Sequence, residues 1–133
     1  WLTPQFEDSY LLTNTLRHSA VGINVASTIS LELCMFDKPV VNVGYNPSTV
    51  DRRELDYARY YDFDHYRPLV DAGAVAVAKT EKELLEMLRR ALVAPQADSF
   101  QRQKVVEGMF ADTLDGRVAT RVAHRLLELA QRN

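Results

Sequence analysis

The sequence predicts an α/β domain: a partial Rossmann-like, doubly wound fold of three layers, with about three parallel strands and six helices. Three observations predict it. Short apolar runs of strand length recur at residues 21–25, 40–43 and 74–78. Helical periodicity fills the segments between and after them, and alternation of this kind is the pattern of a parallel sheet with crossovers. The first run ends on small polar residues, Ala26, Ser27 and Thr28, followed by a helix that Pro39 stops before the second run. That order of strand, turn, helix and strand is a βαβ unit.

The elements follow in chain order. Asp8 reads as the N-cap of a helix running to about His18, with Leu11, Leu12 and Leu16 facing inward. Strands are expected over residues 21–24, 40–43 and 74–77, adjacent in the sheet and joined by right-handed crossovers. The helix between the first two carries Ile29, Leu33 and Phe36 on one face. Residues 44–53 (GYNPSTVDRR) form a polar loop. Five aromatic residues crowd 56–66 (Tyr57, Tyr60, Tyr61, Phe63 and Tyr66), which predicts a short helix or extended loop, then a helical turn over 65–71 that Gly73 ends. Thr80 and Glu83 spell a capping box for a helix over 81–92, broken at Ala94 and Pro95. Asp98 opens another, to about Ala111. Asp115 and Gly116 open the last, over 117–131, with Val118, Val122, Leu126 and Leu129 on its inner face.

Size and composition narrow the function. A chain of 133 residues buries one core, so a single domain is expected over 1–133. Its 47% hydrophobic and 26% charged residues are those of an ordinary globular domain. A net charge of −2 with no Lys/Arg block argues against nucleic acid or an anionic membrane surface as a partner. The lone Cys34, inside an apolar helix, reads as a small buried hydrophobe in a reducing compartment. No run reaches the length of a membrane span and no signal-peptide layout opens the chain. The expected location is the cytoplasm. Trp1 opens the chain without an initiator Met, and three strands are few for so many helices; a piece of a longer protein is expected.

The turn after the first strand lies where open parallel sheets bind ligands. Ser27 and Thr28 place hydroxyls and backbone N–H groups at a helix N-terminus, which suits phosphate. Glu32, four residues after Thr28, lies one turn (about 5.4 Å) further along the same face. A carboxylate there suits the hydroxyls of a ribose. Taken singly, Ser and Thr are also ordinary helix caps. Glu32 stands out because Leu31, Leu33, Cys34 and Met35 surround it, and a charge in such company needs a partner or an opening to water.

The pattern over 18–43 resembles the nucleotide-binding domain of GT-B-type glycosyltransferases. It is closest to the CDP-glycerol glycerophosphotransferases of teichoic acid synthesis in the bacterial cell envelope and to the non-hydrolysing UDP-N-acetylglucosamine 2-epimerases. Both have a strand, a small or hydroxyl pair, an acid four positions later and a proline seven beyond the acid; here these are Ser27–Thr28, Glu32 and Pro39. The ending Phe36-Asp37-Lys38-Pro39 looks like the first relative's Leu-Asp-Arg-Pro, and Asp115-Gly116 with Arg121 is similar too. The Gly-Gly of the epimerase turn is absent, Glu stands where the first relative has Asp, and Asn24-Val25 replaces its Asp-Tyr.

The resemblance implies the C-terminal, donor-binding half of a glycosyl or glycerophosphate transferase, with a UDP- or CDP-linked donor. Ser27 and Thr28 would bind the diphosphate and Glu32 the ribose. The acceptor site and catalytic base would belong to a missing N-terminal domain, so the chain alone would be inactive and its own catalytic residues are unknown. No cofactor or structural metal is implied, and His18, His65 and His124 lack ligand spacing. For the whole enzyme, the inner face of the membrane is a second expected location.

Further candidates are His65, for phosphate or a donor head group, and Asn42 and Asn46, for a base or sugar. An Asx turn at Asn46-Pro47 is the other reading of Asn46. Arg52 and Arg53 are candidates to balance phosphate charge, and the tyrosines of 57–66 to stack on a base or cover an interface. Asp115 is an N-cap first. Two other functions compete with the transferase half: half of a nucleotide-sugar epimerase, and a non-catalytic Rossmann-like interaction module.

Overall fold

Gly22–Asn24 (β1), Val40–Val43 (β2) and Ala76–Ala78 (β3) form one parallel sheet in the order β1-β2-β3. The computed structural model describes Thr3 and residues 5–49 and 55–132. Ile23 pairs with Val41, and Val41 with Ala76. The helices are Phe6–His18 (α1), Ile29–Met35 (α2), Arg67–Asp71 (α3), Glu81–Val93 (α4), Ser99–Phe110 (α5) and Val118–Ala130 (α6), with a 3₁₀ helix over Tyr57–Asp62. The expected strand order and direction hold. The third strand begins at Ala76 because Ala74 and Val75 form a buried bend ahead of it.

The period of two along β2 makes the layers. Val40 points to a core with Leu33 and Cys34 of α2, Leu69 of α3 and Val105 of α5. Val41 points to the opposite face, where Ala91, Leu84, Met87 and Leu88 of α4 cover it. Buried on both faces, β2 reads as an apolar run broken only by Asn42. On the α4 side the cover stops short of β1, and Ile23 stays 54% exposed. Gly22 is required where α2 crosses β1, since a Cβ there would lie 2.1 Å from Leu33 Cδ1.

Two helices end alike. At α3, Gly73 at φ +68° and Ala74 donate to the carbonyls of Val70 and Leu69. At α2, Asp37 at φ +53° and Lys38 donate to Cys34 and Leu33. Both are Schellman motifs, whose left-handed position normally belongs to Gly. Asp37 occupies it because its carboxylate has a second task. It accepts from Arg102 Nε at 2.8 Å and Ser99 Oγ at 2.7 Å, fastening α5 to the turn that leads into β2. Arg102 is 1% exposed, and its Nη2 donates to the Pro95 carbonyl.

Three expectations are corrected. Gln5, not Asp8, is the N-cap of α1; Asp8 sits in the first turn and its carboxylate accepts from the Gln5 backbone N–H at 2.8 Å. Of the three leucines expected inside, only Leu16 is buried; Leu11 and Leu12 are 69% and 43% exposed. The apolar stripe of α6 also faces solvent, with Val118, Val122, Leu126 and Leu129 at 55%, 53%, 62% and 44% exposure. Helical periodicity locates such a stripe but does not say what covers it. Among the described residues, no helix is long and apolar enough to cross a membrane.

Candidate functional site

Val25, Ala26, Ser27 and Thr28 turn the chain from β1 into α2 at the carboxyl end of the sheet. The turn is tight enough to hold Ala26 at φ +37°, where a side-chain-bearing residue costs about 1–2 kcal/mol. Ser27 Oγ accepts from the Ile29 N–H at 3.3 Å. Thr28, the residue before α2, is helical at φ −57° and makes no cap bond with its side chain. The hydroxyl that caps is therefore Ser27, and the exposed one is Thr28. Glu32 follows in α2, half-buried, with no hydrogen bond or ion pair of its carboxylate to another of the described residues.

A second concavity opens beside this turn, at the carboxyl ends of β2 and β3. It is about 400 Å³, lined at its base by Gly44, Val70 and Val77 and at its rim by Asp62 and Lys79. That volume is within the range of small-molecule pockets, roughly 300–1,000 Å³. Tyr61 is the wall between the two. Its ring lines the pocket, its hydroxyl donates to the Val43 carbonyl at 2.7 Å, and the Ala26 backbone faces that hydroxyl.

Asn46 also lines this pocket, yet both ends of its amide serve the loop. Its Oδ1 accepts from Tyr57 N–H at 2.9 Å and its Nδ2 donates to the Leu55 carbonyl. His65 is exposed on the turn before α3, its ring 5.8 Å from that of Phe63. The site thus joins Ser27, Thr28 and Glu32 on one βα unit and sets Asn46 at the neighbouring pocket, with His65 outside its lining. Arg52 and Arg53 lie outside the described residues.

Asn42 is 0% exposed and so is no ligand contact. It belongs to a buried polar knot: Asn42 Nδ2 donates to the Tyr66 hydroxyl at 2.7 Å, Tyr66 donates to Ser30 Oγ at 2.7 Å, and Ser30 donates to Asn24 Oδ1 at 3.1 Å. The knot ties the ends of β1 and β2 to the first turn of α2. Sequence reasoning also missed Lys79 and Asp62 at the pocket rim. Lys79 directly follows β3, at the same sheet edge that drew attention to Ser27, and position alone marks it.

Burial pushes the Tyr61 hydroxyl up to about 12 and the Cys34 thiol up to about 11, and it raises Tyr66 as well. Each group keeps its proton to higher pH folded than unfolded. Their stabilisation is complete below about pH 9 and is lost as pH rises from about 9 to about 12. Urea midpoints measured across that window should fall steadily, with tyrosinate absorbance lagging that of unfolded chain. A flat midpoint would contradict the burial of these groups. Asp115 behaves oppositely: the Arg117 N–H and the Arg121 guanidinium hold its carboxyl below the usual range.

No group of three or more His, Cys, Asp or Glu side chains able to hold a metal occurs among the described residues. Fold and site together define an α/β domain with a βα turn and a polar-rimmed pocket at the carboxyl edge of a parallel sheet. Comparison with protein-family models, with curated proteins and with solved structures returns no match to this chain.

Proposed function

We propose that the chain binds a nucleotide-diphosphate donor, UDP- or CDP-linked, as the C-terminal half of a glycosyl or glycerophosphate transferase. One observation carries the reading. Glu32 is a half-buried carboxylate without a partner among the described residues, one helical turn beyond Ser27 and Thr28 at the carboxyl end of β1. A carboxylate in an apolar helix is costly to bury unless a donor meets it, and a ribose diol is a fitting donor pair. The exposed Thr28 hydroxyl and the turn backbone then meet the diphosphate, and the pocket at Lys79 takes what is attached to it. The proposed setting is cytoplasmic, against the inner face of the membrane, with a second domain supplying acceptor and base.

Glu32→Gln tests this. Charge-assisted hydrogen bonds contribute about 1.5–3 kcal/mol each at most, so UDP or CDP affinity should fall by roughly tenfold or more. Stability should stay within about 0.5 kcal/mol, as for substitutions that break no internal bond. Titration and thermal melting read the two halves. Unchanged affinity, or a large loss of stability alone, would make Glu32 a structural residue.

A non-catalytic module of the same fold is the second reading, and a specific observation favours it. The Ile29 N–H is already satisfied by Ser27, leaving one donor fewer for phosphate. Ligand-observed NMR with UDP and CDP sugars separates the two, since the module binds neither.

A further inference from the structure

Helix α6 is amphipathic by halves. On a wheel of 100° per residue, Val118, Val122, Leu126, Leu127 and Leu129 fall on one semicircle with Ala119, Ala123 and Ala130. Arg117, Arg121, Arg125 and Arg132 fall on the other, with Thr120, His124 and Glu128. No residue of α6 is buried. Its attachment is the turn at Asp115 and Gly116, where Arg121 pairs with Asp115 at 2.8 Å and Gly116 lies at φ +75°. The charge is also uneven along the chain. Four arginines against Glu128 give residues 117–132 a net charge of +3 in a chain whose total is −2, so the remainder carries −5.

We infer that α6 is a docking helix for an anionic lipid surface. A half-cylinder of Leu, Val and Ala opposite an arginine-rich half lies in the plane of a membrane interface, its apolar face among the acyl chains and its cations at the head groups. Charge complementarity selects this occupant over a second copy. A second copy would set two such helices, each of net charge +3, side by side, like against like. A protein groove is the poorer fit because the stripe has no aromatic anchor of the kind that concentrates interface energy. The acidic body is repelled by the same surface, which orients the chain with α6 toward the lipid. This gives the proposed membrane location a physical element, and it stands apart from the nucleotide reading, because donor titration in the absence of lipid is indifferent to α6.

Co-sedimentation of the full chain with vesicles is the test. Vesicles of equal parts phosphatidylglycerol and phosphatidylcholine should bind it on the order of a hundredfold more tightly than phosphatidylcholine alone, given three net charges at the surface. Raising the salt should weaken binding. Arg117→Gln with Arg132→Gln, which spares both ion pairs of α6, should weaken it roughly thirtyfold, and Leu126→Glu should abolish it. Thermal melting of each variant should match the parent, since the changed side chains support no packing. Equal binding to both vesicles, or none to either, overturns the proposal. So does a dimer in sedimentation equilibrium that Leu126→Glu disperses.

Discussion

Asp37→Asn is expected to destabilise the domain by about 3 kcal/mol, at the lower end of the 3–5 kcal/mol for breaking a buried ion pair. The cost comes from Arg102. Its side chain is 2% exposed, while the Asp37 side chain is 28% exposed. Removing the acid strands a cation that water does not reach. Asn tolerates the left-handed backbone of this position and keeps an oxygen for Nε, so the loss reports the charge and not the turn. For a chain of this size such a loss lowers Tm by about 10 °C. Arg102→Met should cost less, because the acid it abandons is partly hydrated. The double variant should then be more stable than the two single losses added together. Urea denaturation of the four proteins completes the cycle. A loss under about 1 kcal/mol for Asp37→Asn would mean that α5 is held by Val105 packing alone.

That residue also shows what the sequence could tell. In the linear chain Asp37 belongs to a family-like ending, Phe36-Asp37-Lys38-Pro39. Its partner is 65 residues away, and no local pattern joins the two. Strands β1 and β2 and helix α4 were legible because their signals are local: apolar runs of strand length, Pro39 as a stop, and Thr80 accepting from the Glu83 N–H at 3.1 Å, the first half of the expected capping box, while the Glu83 carboxylate accepts from the Lys79 N–H and not from that of Thr80. Asn42 was half legible. As the only polar residue in its strand it drew attention as a ligand contact. The pleat puts it on the face of Val40, toward α2, and strand alternation alone predicts that. The exposed side of α6 was not legible at all, because amphipathic periodicity is the same whether protein, lipid or water meets the apolar face.

Tyr66→Phe is expected to cost about 2 kcal/mol, within the roughly 1–3 kcal/mol for leaving a buried polar group without a partner. Tyr66 is 3% exposed, and its hydroxyl stands between Asn42 Nδ2 and Ser30 Oγ, 2.7 Å from each. Phe keeps the ring and its packing against Tyr61, 5.7 Å between centroids. The Asn42 amide then has no acceptor at 0% exposure, whereas Ser30 still donates to Asn24. Tyr60→Phe is the control: Tyr60 is half-exposed beside Phe63, and its loss should stay within about 0.5 kcal/mol. The consequence reaches the site through geometry. Ser30 lies in the first turn of α2, two residues from Glu32, so the knot fixes the direction in which α2 leaves the sheet. Under the donor-binding reading, Tyr66→Phe therefore lowers both stability and nucleotide affinity, whereas Glu32→Gln lowers affinity alone. Equal stability of the two Tyr→Phe variants would show that the knot does not hold α2, and the orientation of Glu32 would then rest on the Leu33 contact with Gly22.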